Sequence, residues 1–354
     1  SLDVTLKNGN IYGITKFKLF LPSTRISYLP QNRDSKKIED GSSEVLISLL
    51  LKEMGYLSPR TKFLNLNFND QSYKMIFQEK ITKEMLEYNH LRESAILESD
   101  ESLLWEIRRK GGTSNNNNLF PRIINHKWIK RNLINQRIGQ EGANILSKAI
   151  LESWNVSELD LETTFSDKIL SNGNFENREL LSRYKAHLIA SGTTHALINH
   201  NRRFYYDPVN KSFIPIYYDG NSEIRELKEK LTFHEWWENV SIMRDITAED
   251  FDSAIDEIEK INLSKFALKL ISAGVKIDEL ELRKIKYQLI KNLNFLKENY
   301  RLTREPKFVK NPLKRKIQNQ AKYGLILFSN SDRKFYLCNL EEDECFPRNL
   351  NEIE

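Results

Sequence analysis

The chain has 354 residues, 40% of them hydrophobic and 29% charged, with 54 basic against 49 acidic side chains and a net charge of +5. That length allows one large core or two ordinary domains, and plentiful Leu, Ile, Phe and Tyr exclude global disorder. The small charge excess permits an acidic partner without implying one, and no apolar run is as long as the roughly eighteen residues that a membrane-spanning helix needs.

The first third reads as sheet plus one helix. Asn8-Gly9 is a hairpin turn signal. Thr15–Leu21 alternates, with Phe17, Leu19 and Leu21 on one face and Lys16, Lys18 and Phe20 on the other; Pro22 ends it. Residues 23–40 form a polar loop. Ser42 or Ser43 is expected to cap a helix from about Glu44 to Met54, stopped by Gly55. KFLNLNF and YKMIFQE, joined by Asn69-Asp70, predict a second hairpin. A surface helix is expected over 82–90 and another over 99–110. Residues 111–118, GGTSNNNN, are the best domain-scale break, a flexible connection between a sheet-rich lobe (1–110) and a helical one (121–300).

Beyond the break, helices are predicted over 136–153, 176–191, 223–230, 248–258, 263–272 and 278–299. The last carries an apolar stripe of Leu280, Leu282, Ile285, Leu289, Leu293 and Leu296. RRFYYD and FIPIYYD predict a short hairpin around Asn210. Residues 301–322 hold eight Arg or Lys against one Glu, and YGLILFSNSDRKFYLCNL predicts a closing hairpin. Cys338 and Cys345 flank LEEDE. They could face each other on paired strands or remain two lone thiols, and neither has a zinc or redox pattern.

A small sheet-rich lobe followed by a larger helical one is an α+β order with the outline of a bilobal, protein-kinase-like fold. Asn201 follows a helix-to-loop turn, and Asp219 sits in an apolar strand context. Kinase-like folds hold Mg²⁺ and ATP phosphates with such a pair. Yet no Asp or Glu lies between Leu180 and Tyr206, where a catalytic carboxylate is expected.

Four segments, KFKLFLP, SSEVLISLLLKEMGYLSPRTKFLNLNF, YKMIFQEK and HALINHNRRFYYD with FIPIYYDG, make the chain resemble the CotH kinase family over roughly residues 11–220. The resemblance implies ATP and Mg²⁺ as cofactors and phosphoryl transfer to a protein or other hydroxyl acceptor, including a glycan-related one. It also admits adenylate transfer, or an inactive pseudokinase that serves as a binding module. Lys18 or Lys16 would face the phosphates, Glu44 would hold that lysine, and Glu79 would sit where the adenine is met, most simply in a structural role. Asn201 and Asp219 would hold the metal. Five residues before Asn201 stands Ala196, so the neighbouring His195 is the candidate base. His200 could also point inward, but the two histidines share no face and mark no zinc site. Arg25, Arg202 and Arg203 add positive charge nearby. Neither GxGxxG nor a Walker motif is present.

Residues 301–322 also raise nucleic-acid binding, although the segment lacks interleaved aromatics. Localisation divides between cytoplasmic, from the lack of a leader pattern, and envelope or coat, from the family.

Overall fold

In the computed structural model, the described residues are 2–22, 41–100, 106, 109, 120–156, 165–222, 224–227, 245–304, 325–329, 334–339 and 344–348. The fold is α+β. Residues Ser1–Arg304 form one compact unit and Glu305–Glu354 a second.

The first sheet of the large unit has the order β1-β2-β4-β3, all antiparallel. It comprises β1 (Leu2–Thr5), β2 (Lys16–Phe20), β3 (Thr61–Phe68) and β4 (Gln71–Glu79). The tight turn between β1 and β2 is Tyr12-Gly13, not Asn8-Gly9: both of its residues have positive φ (54° and 75°), and Ile11 and Ile14 exchange backbone bonds of 3.0 and 2.9 Å. Asn69-Asp70 does make the predicted two-residue turn between β3 and β4, with φ of 49° and 60°. Phe17 and Leu19 pack with Met75 and Phe77 on one side of the sheet. Lys18 pairs with Gln78 and Phe20 with Ile76 in register, so Lys18 shares the side on which Ile76 joins the main core.

Helix α1 (Ser42–Glu53) covers that side. Its N-terminal flank is Gly41 with φ 78° and no side-chain cap, whereas Ser42 and Ser43 are buried in the first turn. Burial of the first turn displaces the expected serine cap. At the other end Gly55 has φ 90°, a conformation that costs a residue without Cβ little. This lets Gly55 N donate to the Lys52 carbonyl and Tyr56 N to the Leu51 carbonyl. Ser48 then ties α1 to β3 through Ser58, the Pro59 carbonyl and Thr61, at 2.8, 2.8 and 2.9 Å.

The second sheet has the order β6-β5-β7-β8, from β5 (Ile96–Asp100), β6 (Phe120–Ile123), β7 (Arg203–Asp207) and β8 (Ser212–Ile216). Strand β5 runs to Asp100, so its last two residues are extended where a helix over 99–110 was expected; of residues 101–110, only Glu106 and Arg109 are described, both helical. The GGTSNNNN run lies outside the described residues, and the strands flanking it pair with each other. Before β5, α2 (Lys83–Tyr88) is the surface helix expected over 82–90: it buries Met85 and Leu86 and leaves Lys83, Glu87 and Tyr88 exposed.

The remaining helices are α3 (His126–Ile129), α4 (Leu133–Val156), α5 (Asp167–Leu170), α6 (Phe175–Ala190), α7 (Ala248–Glu259), α8 (Leu263–Ser272) and α9 (Glu279–Arg304). Helix α4 packs on the second sheet through Leu146, Ala149 and Ile150 against Phe204, Tyr206 and Phe213. One continuous core joins α1 to α6, α7, α8 and α9. Its α9 stripe begins at Leu282, because Leu280 is 62% exposed. Residues 224–227 are not helical, and the rest of the expected 223–230 helix is outside the described residues. Among the described residues no helix is long and apolar enough to cross a membrane.

The second unit contains an antiparallel sheet β11-β10-β9, from Leu325–Ser329, Lys334–Asn339 and Glu344–Arg348. Leu325–Ser329 and Lys334–Asn339 form the expected hairpin, Glu344–Arg348 adds a third strand to it, and Cys338 and Cys345 occupy directly opposed register positions.

Candidate functional site

The site begins where β8 ends. Leu57 and Ile216 form a parallel bridge, and Tyr217 N donates to the Leu57 carbonyl at 2.8 Å. This pins the segment Tyr217-Tyr218-Asp219-Gly220 next to the turn that follows α1. Gly220 is required by close approach: a Cβ there would lie 2.2 Å from both Thr193 Cγ2 and the Tyr217 hydroxyl.

Glu44, in the first turn of α1, meets this segment from the other side. Its Oε2 accepts from the Tyr217 hydroxyl at 2.8 Å and from the Ser222 hydroxyl at 3.4 Å. The residue keeps partial exposure while its carboxyl lies under Tyr217. Burial pushes that carboxyl up to about 7. Nearby Asp219 also raises it, and the bonds from Tyr217 and Ser222 pull part of the way back. Lys18 reaches the same segment. Its Nζ donates to the Tyr218 hydroxyl at 3.1 Å and stands 5.4 Å from that ring's centre. Burial alone would lower its pKa; Tyr218, Asp3 and Asp219 outweigh burial and raise it. Among the described residues no ion pair joins Lys18 to Glu44.

Asn201, His195 and Asp219 form the third part. His195 Nδ1 lies 2.8 Å from the Asp219 carbonyl oxygen and 3.7 Å from its Oδ2. Asn201 Nδ2 donates to the His195 carbonyl at 3.0 Å and also lies 3.0 Å from Nδ1. The amide bond to the His195 carbonyl forms in either tautomer; with the proton of a neutral ring on Nδ1, that nitrogen donates to the Asp219 carbonyl and cannot also accept from Asn201. Nε2 then carries the lone pair, and Asn201 Oδ1 is the amide atom left for a cation. Asn201 is buried, whereas His195 and Asp219 are 40% and 54% exposed at their side chains. Asp219 lies past the end of β8, in a left-handed conformation with φ 49°, rather than in the strand.

Other expected members stand elsewhere. Lys16 acts on Glu84, whose pKa it helps to lower after the bonds from Thr15 and Thr82 overcome burial. The Glu79 side chain is 1% exposed and is clamped by Arg60, at 2.8 Å from Nε and 2.6 Å from Nη2, so it is closed to a ligand. Glu53 pairs with Lys269.

Arg202 and Arg203 are both buried rather than solvent-facing. Arg202 is stacked on Phe165 and Phe204 at 4.7 and 5.0 Å, with Asp167 3.9 Å away; Asp167 also pairs with Lys185. Burial lowers the Arg202 pKa, against the pull of Asp167. Arg203 Nε meets Glu98 at 2.5 Å, and its guanidinium lies 4.5 Å from the Tyr218 ring centre. His200 accepts from Arg203 through its carbonyl at 3.0 Å. Arg25 lies outside the described residues. Among the described residues no group of three or more His, Cys, Asp or Glu side chains could hold a metal ion.

No motif marks Tyr217, Tyr218, Ser222 or Glu98 as a member of the site. Tyr217 and Tyr218 stand beside Asp219 in the predicted FIPIYYD strand, where aromatic residues carry no signal of a site. Glu98 lies just before the expected 99–110 helix, in a stretch with no motif of its own. A scan of family models finds none that matches the chain, and a search of curated proteins finds no match either.

Proposed function

We propose that this chain is a CotH-like protein of bilobal, kinase-like architecture, and that it binds ATP with Mg²⁺ where Lys18, Glu44, Asn201 and Asp219 converge. One observation carries the reading. Residues 18, 44 and 219 come from three remote segments, yet the Asp219 charge acts on both Lys18 and Glu44. A cation, a buried carboxyl and an exposed carboxylate around one short segment suit a phosphate chain held through a divalent ion.

The donor set suits Mg²⁺, which prefers carboxylate and carbonyl oxygens and keeps several waters. Asp219 would supply a charged oxygen and Asn201 Oδ1 a neutral one. Bound there, the ion would neutralise charge on the phosphates. Lys18 would face the α and β phosphates once released from the Tyr218 hydroxyl. His195 Nε2 would accept the proton of a protein or other hydroxyl acceptor. A second reading is a pseudokinase that binds without transfer. It is favoured by the lack of any Asp or Glu between Leu180 and Tyr206.

Calorimetric titration with ATP and Mg²⁺ tests both. Asp219→Asn should weaken Mg²⁺-dependent binding by about tenfold or more, since it keeps the shape and removes the charge. Asn201→Ala should weaken it less, because water can replace a neutral ligand. His195→Ala should leave binding nearly unchanged and lower any transfer measured with labelled phosphate. Equal affinities for wild type and Asp219→Asn would refute the assigned site. Tight binding with no transfer to any hydroxyl would select the pseudokinase.

A further inference from the structure

A second cleft lies against the C-terminal half of α1, away from the Tyr217–Gly220 segment. Its volume is about 470 Å³, within the usual range for small-molecule sites. The floor is apolar: Ile14 and Phe77 line it and are almost fully buried. Tyr12 and Tyr88 stand on its walls, and both are more than half exposed.

Its charge is unbalanced. Lys52, Arg60, Lys62 and Lys269 line it against one carboxylate, Glu53. Arg60 is committed to Glu79, which lies behind it, and Lys269 to Glu53. Lys52 and Lys62 have no carboxylate partner among the described residues. Each stands over a ring instead, Lys52 at 3.7 Å from the centre of Tyr88 and Lys62 at 3.2 Å from that of Tyr12. A ring face gives an ammonium part of what a counter-ion would give, not its full charge. Two ammonium groups beside an apolar floor, with no carboxylate among the described residues in an ion pair with either, leave the cleft a positive excess that a bound dianion would balance.

We propose that this cleft binds a phosphate monoester carried on an apolar or aromatic body. A monoester has between one and a half and two negative charges near neutral pH, on roughly the scale of two lysines. Each ammonium carries three donors on a flexible stem and can turn toward one tetrahedral anion. The volume argues for the ester. A bare phosphate has five heavy atoms, against the one of a water whose share of the liquid is about 30 Å³; it would fill only part of the cleft and leave Ile14 and Phe77 uncovered. This site does not depend on the nucleotide reading above.

A pH signature follows from the same neighbours. Burial lowers the Lys52 pKa to about 8, with Arg60 and Lys269 lowering it further and Glu79 pulling it back. The other charged or titratable groups lining the cleft are Glu53, Lys62, Tyr12 and Tyr88. Lys52 therefore loses its charge between pH 7 and 9, and affinity falls with it.

The test is titration of the full chain with phenyl phosphate, inorganic phosphate and succinate, followed by calorimetry. Phenyl phosphate should saturate and bind about tenfold or more tightly than the other two. Lys52→Met and Lys62→Met should each weaken it by about tenfold, with the thermal midpoint showing that the variants are folded. Lys52→Arg should restore affinity and abolish its fall between pH 7 and 9, which also serves if a methionine variant fails to fold. Lys18→Met should bind phenyl phosphate as wild type does. Absence of saturation by about 10 mM, a concentration at which even weak anion sites fill, would overturn the proposal. So would equal affinity for inorganic phosphate or succinate, or loss of binding in Lys18→Met rather than in the two cleft variants.

Discussion

Glu44→Gln is the sharpest probe of the converging site. The Glu44 carboxyl is raised from 4.5 to about 7, chiefly by burial and further by Asp219. At about 1.4 kcal/mol per pH unit, that span sets a ceiling of about 3 kcal/mol. The partial exposure of the residue reduces the expected effect to about 1–3 kcal/mol. The folded state holds this proton more tightly than the unfolded state. The stabilisation is therefore whole below pH 4.5, declines as pH climbs toward 7, and is gone above it. Glutamine is neutral throughout and can still accept from Tyr217 and Ser222. Urea unfolding from pH 4.5 to 8 should show the two proteins within about 0.5 kcal/mol at the acid end. At pH 8, Glu44→Gln should be the more stable by about 1–3 kcal/mol. A difference that stays constant over this window would refute the reasoning, because it would place the ionised carboxylate at no disadvantage.

Two further perturbations test the frame around the site. Gly220→Ala drives a methyl group into Thr193 and the Tyr217 hydroxyl, and should cost about 2–3 kcal/mol in urea unfolding while abolishing the pH dependence assigned to Glu44. Arg60→Met strands the buried Glu79 carboxylate and should lower stability by about 3 kcal/mol, with the midpoint recovering in the double variant Arg60→Met/Glu79→Leu.

What the sequence made legible was local. Asn69-Asp70 named its turn because two positive-φ residues between alternating strands have few other uses. The α8 helix was read at its true bounds, 263–272, because its apolar spacing is complete within ten residues. Strand β5 was missed because it is buried on both faces, which erases the alternation that marks a half-buried strand. The serine cap failed because packing against the sheet placed Ser42 and Ser43 inside the helix.

The site divides along the same line. Asn201, His195 and Asp219 were found together because they lie within 25 residues of one another. The geometry separates Lys18 from Lys16, which periodicity could not do. The partnership of Glu44 with Tyr217 spans 173 positions and has no signature in the chain. Glu79 had the right strand and a structural role, as its simplest reading had it, but only the fold reveals that its partner is Arg60.

The order of strands in the second sheet bears on how the chain is made. Ile96 pairs with Tyr205 and Glu98 with Arg203, partners about a hundred residues apart. A ribosome adding about 5–20 residues each second would keep β5 waiting roughly 5–20 s for β7. Strand β6 can close one of its edges early, but the other presents unpaired backbone beside Ile96 and Leu97 for that interval. Contacts so distant also slow refolding, because the intervening chain must lose its freedom before any pairing rewards it. The segment that carries Tyr217 and Asp219 leaves the strand next to this late arrival. The converging residues therefore cannot assemble before β7 and β8 have been made, and conditions that trap β5 with a neighbouring chain would yield protein that keeps its early hairpins but lacks the site.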